Sequence, residues 1–544
     1  MNARLWITAG IYRLTHMGAN EKHLAARGSL HFSRLRTTVS ANKLLISGLF
    51  ASAALMISLI TWTLSSPLGS SPDENFHIGS IWCAEGEIDG RCEYVDYSAT
   101  TNANRVSIPH VMDVCFIFYS EQSGNCLWDT KSIKPELQAS ENGAYPDLFY
   151  RVMNIFVSDH TQVSGLVMRL ATSALASLLV LASIVFSPSR TRGAALVGFL
   201  VTLVPLAIFL VPSLNPSSWA YLGLAFAWVF QMNAMTNREA SQFKVRSNWA
   251  LFIFCTALAM GSRWDAMLYS CISILVVTFL ASKDLQHLKK NTLLIPGIMF
   301  FTGITFLINH YKPSAVQGSG VFGNPGSITA DWAEHDRNIH NLINLVELPA
   351  GVFGLEWGIG WLDTPLPKIV ALIGISVYMY FLIQSLPYRN NANYFVFVVL
   401  IFVIVAILFY YLWGSRIIVG EVVQPRYILP MIPLLIGISL WSSRLPSPLS
   451  LDVWARSVLL GVMISVTHAM SLWTNIRRYT LGLEANQGFS LSNPDSPIEW
   501  WWRWAPSPNV VFFIGTAAFA TFTFLALRIV SNYKQYENPI KHLS

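Results

Sequence analysis

Runs of about 17–25 apolar residues, the length that crosses the hydrocarbon of a bilayer as a helix, recur along the chain. They fall at 44–64, 163–186, 194–212, 217–235, 247–262, 265–282, 291–309, 367–386, 392–413, 426–442, 454–474 and 508–530. Polar chain collects in four of the intervals, 65–160, 310–367, 413–424 and 474–508, and the other connections are short. The pattern predicts an all-α polytopic membrane protein, a bundle of about twelve transmembrane helices with a large first extracytoplasmic loop. No internal repeat, inverted hydropathy symmetry or low-complexity tract breaks it, which weakens a secondary-transporter reading.

Composition agrees. Of 544 residues, 53% are hydrophobic and 12% charged, where a soluble chain carries about 25% charged residues. The net charge of +6 matters through its placement. Arg190, Arg192, Arg238, Lys244, Arg246, Lys283, Lys289, Lys290, Arg389, Arg444 and Arg456 sit in alternate short connections. The positive-inside bias puts these in the cytoplasm, so the basic balance reads as topology and implies no nucleic-acid partner.

The segment 1–43 is then a cytoplasmic basic N-terminus, and 44–64 is a retained anchor, since its leader is too long for a cleaved signal peptide. Residues 44–530 form the membrane module, with 66–160 and 310–366 as extracytoplasmic loops and 531–544, with Lys534 and Lys541, as a cytoplasmic tail.

The first loop holds Cys83, Cys92, Cys115 and Cys126. In an oxidising compartment an even set reads as disulfides. Three connectivities are open, and the sequential pairs Cys83–Cys92 and Cys115–Cys126 are favoured. A tetrathiolate zinc site fits less well, because neither spacing is the tight C-x₂₋₄-C kind. Cys255 and Cys271 lie within spans and read as packing residues.

Candidate chemistry begins where the first span ends, at Ser71-Pro72-Asp73-Glu74-Asn75-Phe76-His77. Its structural reading is a capping box, with Ser71 as N-cap, Pro72 at the first helical position and Glu74 three residues after the cap. Asp73 and His77, four apart, share a face of that helix and can both address a substrate or metal.

Gln424-Pro425-Arg426-Tyr427-Ile428-Leu429-Pro430 is predicted to open the tenth span, with Arg426 in its first turn. A guanidinium there either snorkels or meets an anion, and its shape suits phosphate. Arg263 and Asp265 in a tight turn bind substrate or pair with each other. In Asn215-Pro216-Ser217, Asn215 caps and Pro216 starts the fourth span.

The second large loop carries Gly318, Gly320, Gly323, Pro325 and Gly326, then Asp331, Glu334, His335, Asp336, Arg337 and His340. It reads as a cover followed by a surface-lying amphipathic helix, with His335 and Asp336 as candidate metal or acceptor contacts and His335 as the candidate substrate contact. Glu499-Trp500-Trp501-Trp502-Arg503-Trp504 anchors at the membrane boundary or stacks on sugar rings.

Pro72-Asp73-Glu74 with His77, Asn215-Pro216-Ser217 and the later Gln424-to-Pro430 motif, in this order on a polytopic chain, resemble the bacterial membrane family called domain of unknown function 2142. That family in turn looks like a branch of the GT-C glycosyltransferases. The resemblance runs from about residue 44 to 442. Pro425 departs from it, because the family more often has Gly-Arg before the tyrosine.

What the resemblance implies is a GT-C-like bundle and sugar transfer from a polyprenyl phosphate donor to a glycan or lipid acceptor of the cell envelope. Asp73 would be the general base, and Glu74 would position the acceptor or help to hold a divalent ion. The expected metal is Mg or Mn, on Asp73, Glu74 and His77. Arg426 with Tyr427 would bind the lipid phosphate, and His77, Asn215, Arg263, Asp265 and His335 would contact substrate. Asp73 and Arg426 should therefore meet at a shared lipid-facing cavity. The rival readings are a transporter or flippase of lipid-linked saccharides and a non-catalytic scaffold of an envelope assembly complex.

Overall fold

The computed structural model describes residues 19–96, 103–108, 114–117, 119–128, 136–140, 145–237, 240–282, 290–310, 333–386, 391–415, 418–419, 423–442, 453–483, 494 and 499–531. The glycine-rich stretch 318–326 with Asp331, the basic residues Arg238, Lys283, Lys289, Arg389 and Arg444, residues 1–18 of the N-terminal segment and the C-terminal tail after Ser531 lie outside the described residues.

Helices occupy every predicted span. In chain order they are α1 (Ala19–Ser65), α2 (Glu74–Trp82), α3 (Leu148–Asn154), α4 (Thr161–Phe186), α5 (Ser189–Thr202), α6 (Ser217–Thr236), α7 (Gln242–Met260) and α8 (Trp264–Ser282). There follow α9 (Leu294–His310), α10 (Glu334–Asn344), α11 (Glu347–Gly351), α12 (Lys368–Ser385), α13 (Asn391–Ser415), α14 (Met431–Ser442), α15 (Val453–Leu481) and α16 (Pro508–Ser531).

Among the described residues seven helical stretches are long and apolar enough to cross a membrane, and Leu294–Asn309, Tyr394–Phe409 and Met431–Trp441 are shorter apolar helices. Exposed Phe301, Phe395, Phe402 and Phe513 stud the outside of the bundle. Apolar side chains facing outward are what a hydrocarbon solvent permits, while the helical backbone satisfies its own polar groups. The protein is a multi-pass membrane protein.

Packing is led by α6 against α7, α16 against α1 and α15, α1 against α4, and α5 against α14. Beyond α5 the chain runs through Leu203–Ala207, where Val204 leaves helical geometry just before Pro205. A proline inside a helix removes a donor and crowds the preceding turn, so the bend is local in origin.

The first loop departs from the all-α expectation. It contains a small antiparallel sheet, β1 (Glu93–Asp96), β2 (Ala103–Ser107) and β3 (Glu136–Ser140), in the order β1-β2-β3. Register pairs Val106 with both Tyr94 and Leu137. The buried Val106 and Ala139 join Ile78, Ile81 and Trp82 of α2, Phe149 of α3 and Trp219 of α6 in one apolar cluster. The loop is thereby a folded cap seated on the bundle.

Cys83–Cys92 and Cys115–Cys126 are both bonded, with Cα atoms 5.5 and 6.2 Å apart, and Cys255 and Cys271 are free and buried. The first disulfide closes the turn behind α2, so Cys83→Ala with Cys92→Ala is expected to cost about 2–3 kcal/mol. Thermal unfolding of the purified chain with and without the pair measures it.

The Trp-rich segment is mostly packed. Trp501 is buried with Phe116, Leu127 and Tyr479, Trp502 donates to the Leu64 carbonyl at 2.9 Å, and Trp504 is exposed as an anchor should be.

Candidate functional site

The segment from Ser65 to Asp73 leaves α1 and crosses the end of the bundle that carries the cap. Its carbonyls are held by side chains from far along the chain, because a buried C=O without a partner is costly. Asn475 donates to Ser65 O at 2.9 Å. Arg169 donates to Ser66 O at 2.6 Å and Pro67 O at 3.0 Å. Trp361 donates to Gly69 O at 2.8 Å, and Tyr479 to Ser70 O at 3.1 Å. Pro72 O accepts from both Asn215 at 2.8 Å and Arg426 at 2.9 Å. Gly69, at φ 88°, supplies the positive φ this path needs and has no Cβ to strike Val114.

The helix after this strap begins later than the capping box predicts. α2 starts at Glu74, and Asp73 precedes it in the left-handed region, φ 61° and ψ 13°. Asp tolerates that conformation better than most residues. Only half the box forms: Glu74 accepts from Ser71 N at 2.9 Å, while the Ser71 hydroxyl has no partner among the described residues. The cause is the double grip on Pro72 O, which fixes the peptide ahead of Asp73 and turns Asp73 out of the helix.

Asp73 Oδ2 accepts from Arg426 Nη2, an ion pair between residues 353 apart in sequence. The pair is direct, where a cavity between the two side chains was expected. The Asp73 side chain is 18% exposed and the Arg426 side chain 3%. Burial pushes the Asp73 carboxyl up, but the charge and hydrogen bond of Arg426, with Arg263 behind, hold it below its ordinary 3.8. Arg426 lies in a turn, Pro425–Tyr427, ahead of α14, and so not in the first turn of the span. Pro430 sets that start, its ring fixing φ for the helix at Met431.

Glu74 is committed elsewhere. Its carboxylate, 0% exposed, takes Arg169 Nη2 at 2.8 and 3.0 Å, Arg169 Nε at 3.3 Å and the Leu214 amide at 2.8 Å. It is a strut joining α2 to α4 and to the turn before α6, which corrects the acceptor-positioning role expected of it. The metal expectation changes with it. Asp73 faces Arg426 and Glu74 faces Arg169, and among the described residues no group of three His, Cys, Asp or Glu could hold a metal ion. Asp73, Glu74 and His77 do not fit a shared Mg or Mn.

Arg263 and Asp265 pair with each other, Nε to Oδ1 at 2.8 Å and Nη2 to Oδ2 at 2.7 Å, both buried. Arg263 also donates to Ser217 Oγ at 3.2 Å and lies 4.6 Å over the Tyr427 ring. Asn215 is likewise internal, since its Oδ1 accepts from Ser217 N at 2.9 Å while its amide holds Pro72. Both assignments as substrate contacts give way to structural ones. His335 stands exposed on α10, apart from this buried cluster.

His77 is buried, with Nδ1 2.9 Å from the Tyr150 hydroxyl and Nε2 without a partner among the described residues. Burial, with Arg426 and Arg263 nearby and Asp73 opposing, lowers it from 6.5 to about 3. A depressed value means that the folded chain resists protonation while the unfolded chain accepts it. Stability is therefore full above about pH 6.5 and is lost as pH falls toward 3, with a slope approaching about 1.4 kcal/mol per pH unit. Thermal unfolding between pH 7 and 4 should show this slope, and His77→Gln should flatten it.

Sequence reasoning missed Arg169, Tyr145, Tyr150, Asp363 and Arg478. Arg169 carried a signal, a lone cation inside a 26-residue apolar helix. Arg478 donates to the carbonyls of Phe116, Tyr119 and Gln122 and at 2.8 Å to Asp363, clamping the second disulfide loop onto α15.

No curated protein and no solved structure matches the chain. One family model does, over residues 37–435, a stretch that includes Asp73, Glu74, Arg169, Asn215, Arg263 and Arg426. The chain belongs to that family, domain of unknown function 2142, described as a predicted membrane protein.

Proposed function

We propose that the protein is a GT-C-type membrane glycosyltransferase, moving a sugar from a polyprenyl-phosphate-linked donor to a cell-envelope glycan or lipid on the extracytoplasmic face. In this reading all twelve predicted spans cross a bacterial plasma membrane, and both termini are cytoplasmic. The observation that carries it is the Asp73–Arg426 pair: a partly exposed carboxylate, in a rarely populated backbone conformation, against a guanidinium with a donor to spare. Such backbone outliers gather at working sites.

The acceptor hydroxyl oxygen attacks the anomeric carbon, and the bond from that carbon to the phosphate oxygen breaks. The electron pair leaves with the lipid phosphate, and the hydroxyl proton passes to Asp73. In the resting pair Asp73 is a weak base, since Arg426 holds its affinity for protons down. When the phosphate draws Arg426 toward itself, the carboxyl loses its partner and its proton affinity rises, as general-base work requires. Arg426 then stands where negative charge develops on the leaving group. An anionic leaving group needs no second acid, so Glu74 is free to serve as a strut.

The test is a reconstituted assay with a lipid-linked sugar extract. Release of lipid phosphate only when acceptor is present supports transfer. Movement of lipid-linked saccharide across the bilayer without acceptor supports a transporter instead.

A further inference from the structure

A cavity of about 800 Å³ lies between the ends of α7, α8 and α9 and the turn before α3. Its size falls in the usual range for small-ligand sites, about 300–1,000 Å³. Met260, Met267 and Met299 line its inner part, side chains that reshape around a flexible guest. Thr302, Phe306 and Asn309 form its mouth on α9, where all three are exposed. Ile298, Phe301, Thr305 and Ile308 are exposed beside it on α9, a mostly apolar face that suits hydrocarbon better than water.

Tyr145 closes the other end, and it belongs equally to the polar cluster. Its ring is 5.3 Å from the His77 ring and 5.9 Å from the Arg263 guanidinium. Beyond it Arg426 Nε and His77 Nε2 are buried without partners among the described residues. The apolar cavity thus ends at Tyr145, and the unmet hydrogen-bonding atoms lie on the far side of that ring.

We propose that this cavity holds the hydrocarbon chain of a lipid phosphate, whose head lies past Tyr145 at the Asp73–Arg426 pair. The proposal rests on the transferase reading for the identity of the lipid. A head rich in acceptor oxygens meets the spare Arg426 donor, and a hydrocarbon chain suits the methionine-lined cavity. A water-soluble sugar phosphate has no use for an apolar cavity whose mouth faces the bilayer.

The test uses the full chain in nanodiscs of phosphatidylethanolamine and phosphatidylglycerol, with a diazirine-bearing isoprenyl phosphate as probe and peptide mass spectrometry as readout. Label is expected on α7 and α9. Thr302→Trp, at the exposed mouth and outside the polar cluster, should lower it roughly tenfold, whereas Phe402→Trp on the lipid face of α13 should not.

Label spread evenly over the lipid-facing helices, or label on α9 that ignores Thr302→Trp, overturns the proposal. So does equal, Thr302-sensitive labelling by a diazirine-bearing phosphatidylglycerol, which would make the cavity a general phospholipid site. The photolabel does not depend on turnover. If it behaves as expected while Asp73→Asn retains full transfer, the lipid site stands and the catalytic reading falls; the reverse pairing removes the lipid site alone.

Discussion

Asp73→Asn is expected to lower sugar transfer by about 10²–10⁴-fold, the usual contribution of a positioned general base. Asn keeps the size of the side chain, tolerates the left-handed backbone and can still accept from Arg426, so the strap stays in place. It removes the one property the mechanism needs, a lone pair that takes up a proton. Arg426 loses its counter-charge, but it keeps Pro72 O as acceptor and borders a side chain that is already 18% exposed. Transfer must therefore be expressed per folded molecule, with thermal unfolding measured alongside. A scaffold would tolerate the change, and full transfer by a normally folded Asp73→Asn chain would falsify the general-base assignment.

Arg169→Met is expected to be the most destabilising of these changes, at about 3–5 kcal/mol, the range for removing one partner of a buried pair. Glu74 would be left with only the Ser71 and Leu214 amides, at a position 0% exposed. Ser66 O would lose its donor as well, while Pro67 O would keep only the Ser70 amide. The double variant Arg169→Met with Glu74→Gln should recover part of the loss, because the uncompensated charge is then gone. Unfolding in micelles measures both. Equal stability of the single variant and the wild type would show that the strut does not hold the strap.

The membrane architecture was legible because its signal is additive. Each span needs only enough apolar residues in a row, and a helix appears where each of those runs lies. The disulfides were legible because short spacing leaves few geometries. Legibility failed where one residue's role depends on a partner far along the chain. Glu74 reads as a cap until Arg169 is seen against it, and Asn215 reads as a helix starter although its amide holds Pro72 O across 143 residues. The sheet in the first loop was missed for a related reason. Its strands are 4–5 residues long, too short for a clear alternation, and are stabilised by packing on α2 and α6 rather than by their own pattern.

That Asp73 and Arg426 come together was expected from the roles the family resemblance implied, at a shared cavity; the direct ion pair between them was not foreseen. The left-handed Asp73 was not inferable, because it follows from the two donors on Pro72 O and not from local propensity.

The most direct measurement of transfer at Asp73 is mass analysis of envelope glycans from cells lacking the gene, supplied with either the wild-type or the Asp73→Asn chain. A glycan or lipid that lacks one sugar residue in the deletion, regains it with the wild-type chain and still lacks it with Asp73→Asn is the predicted result. Identical glycans in all three, with the variant present in the membrane at normal level, would contradict it.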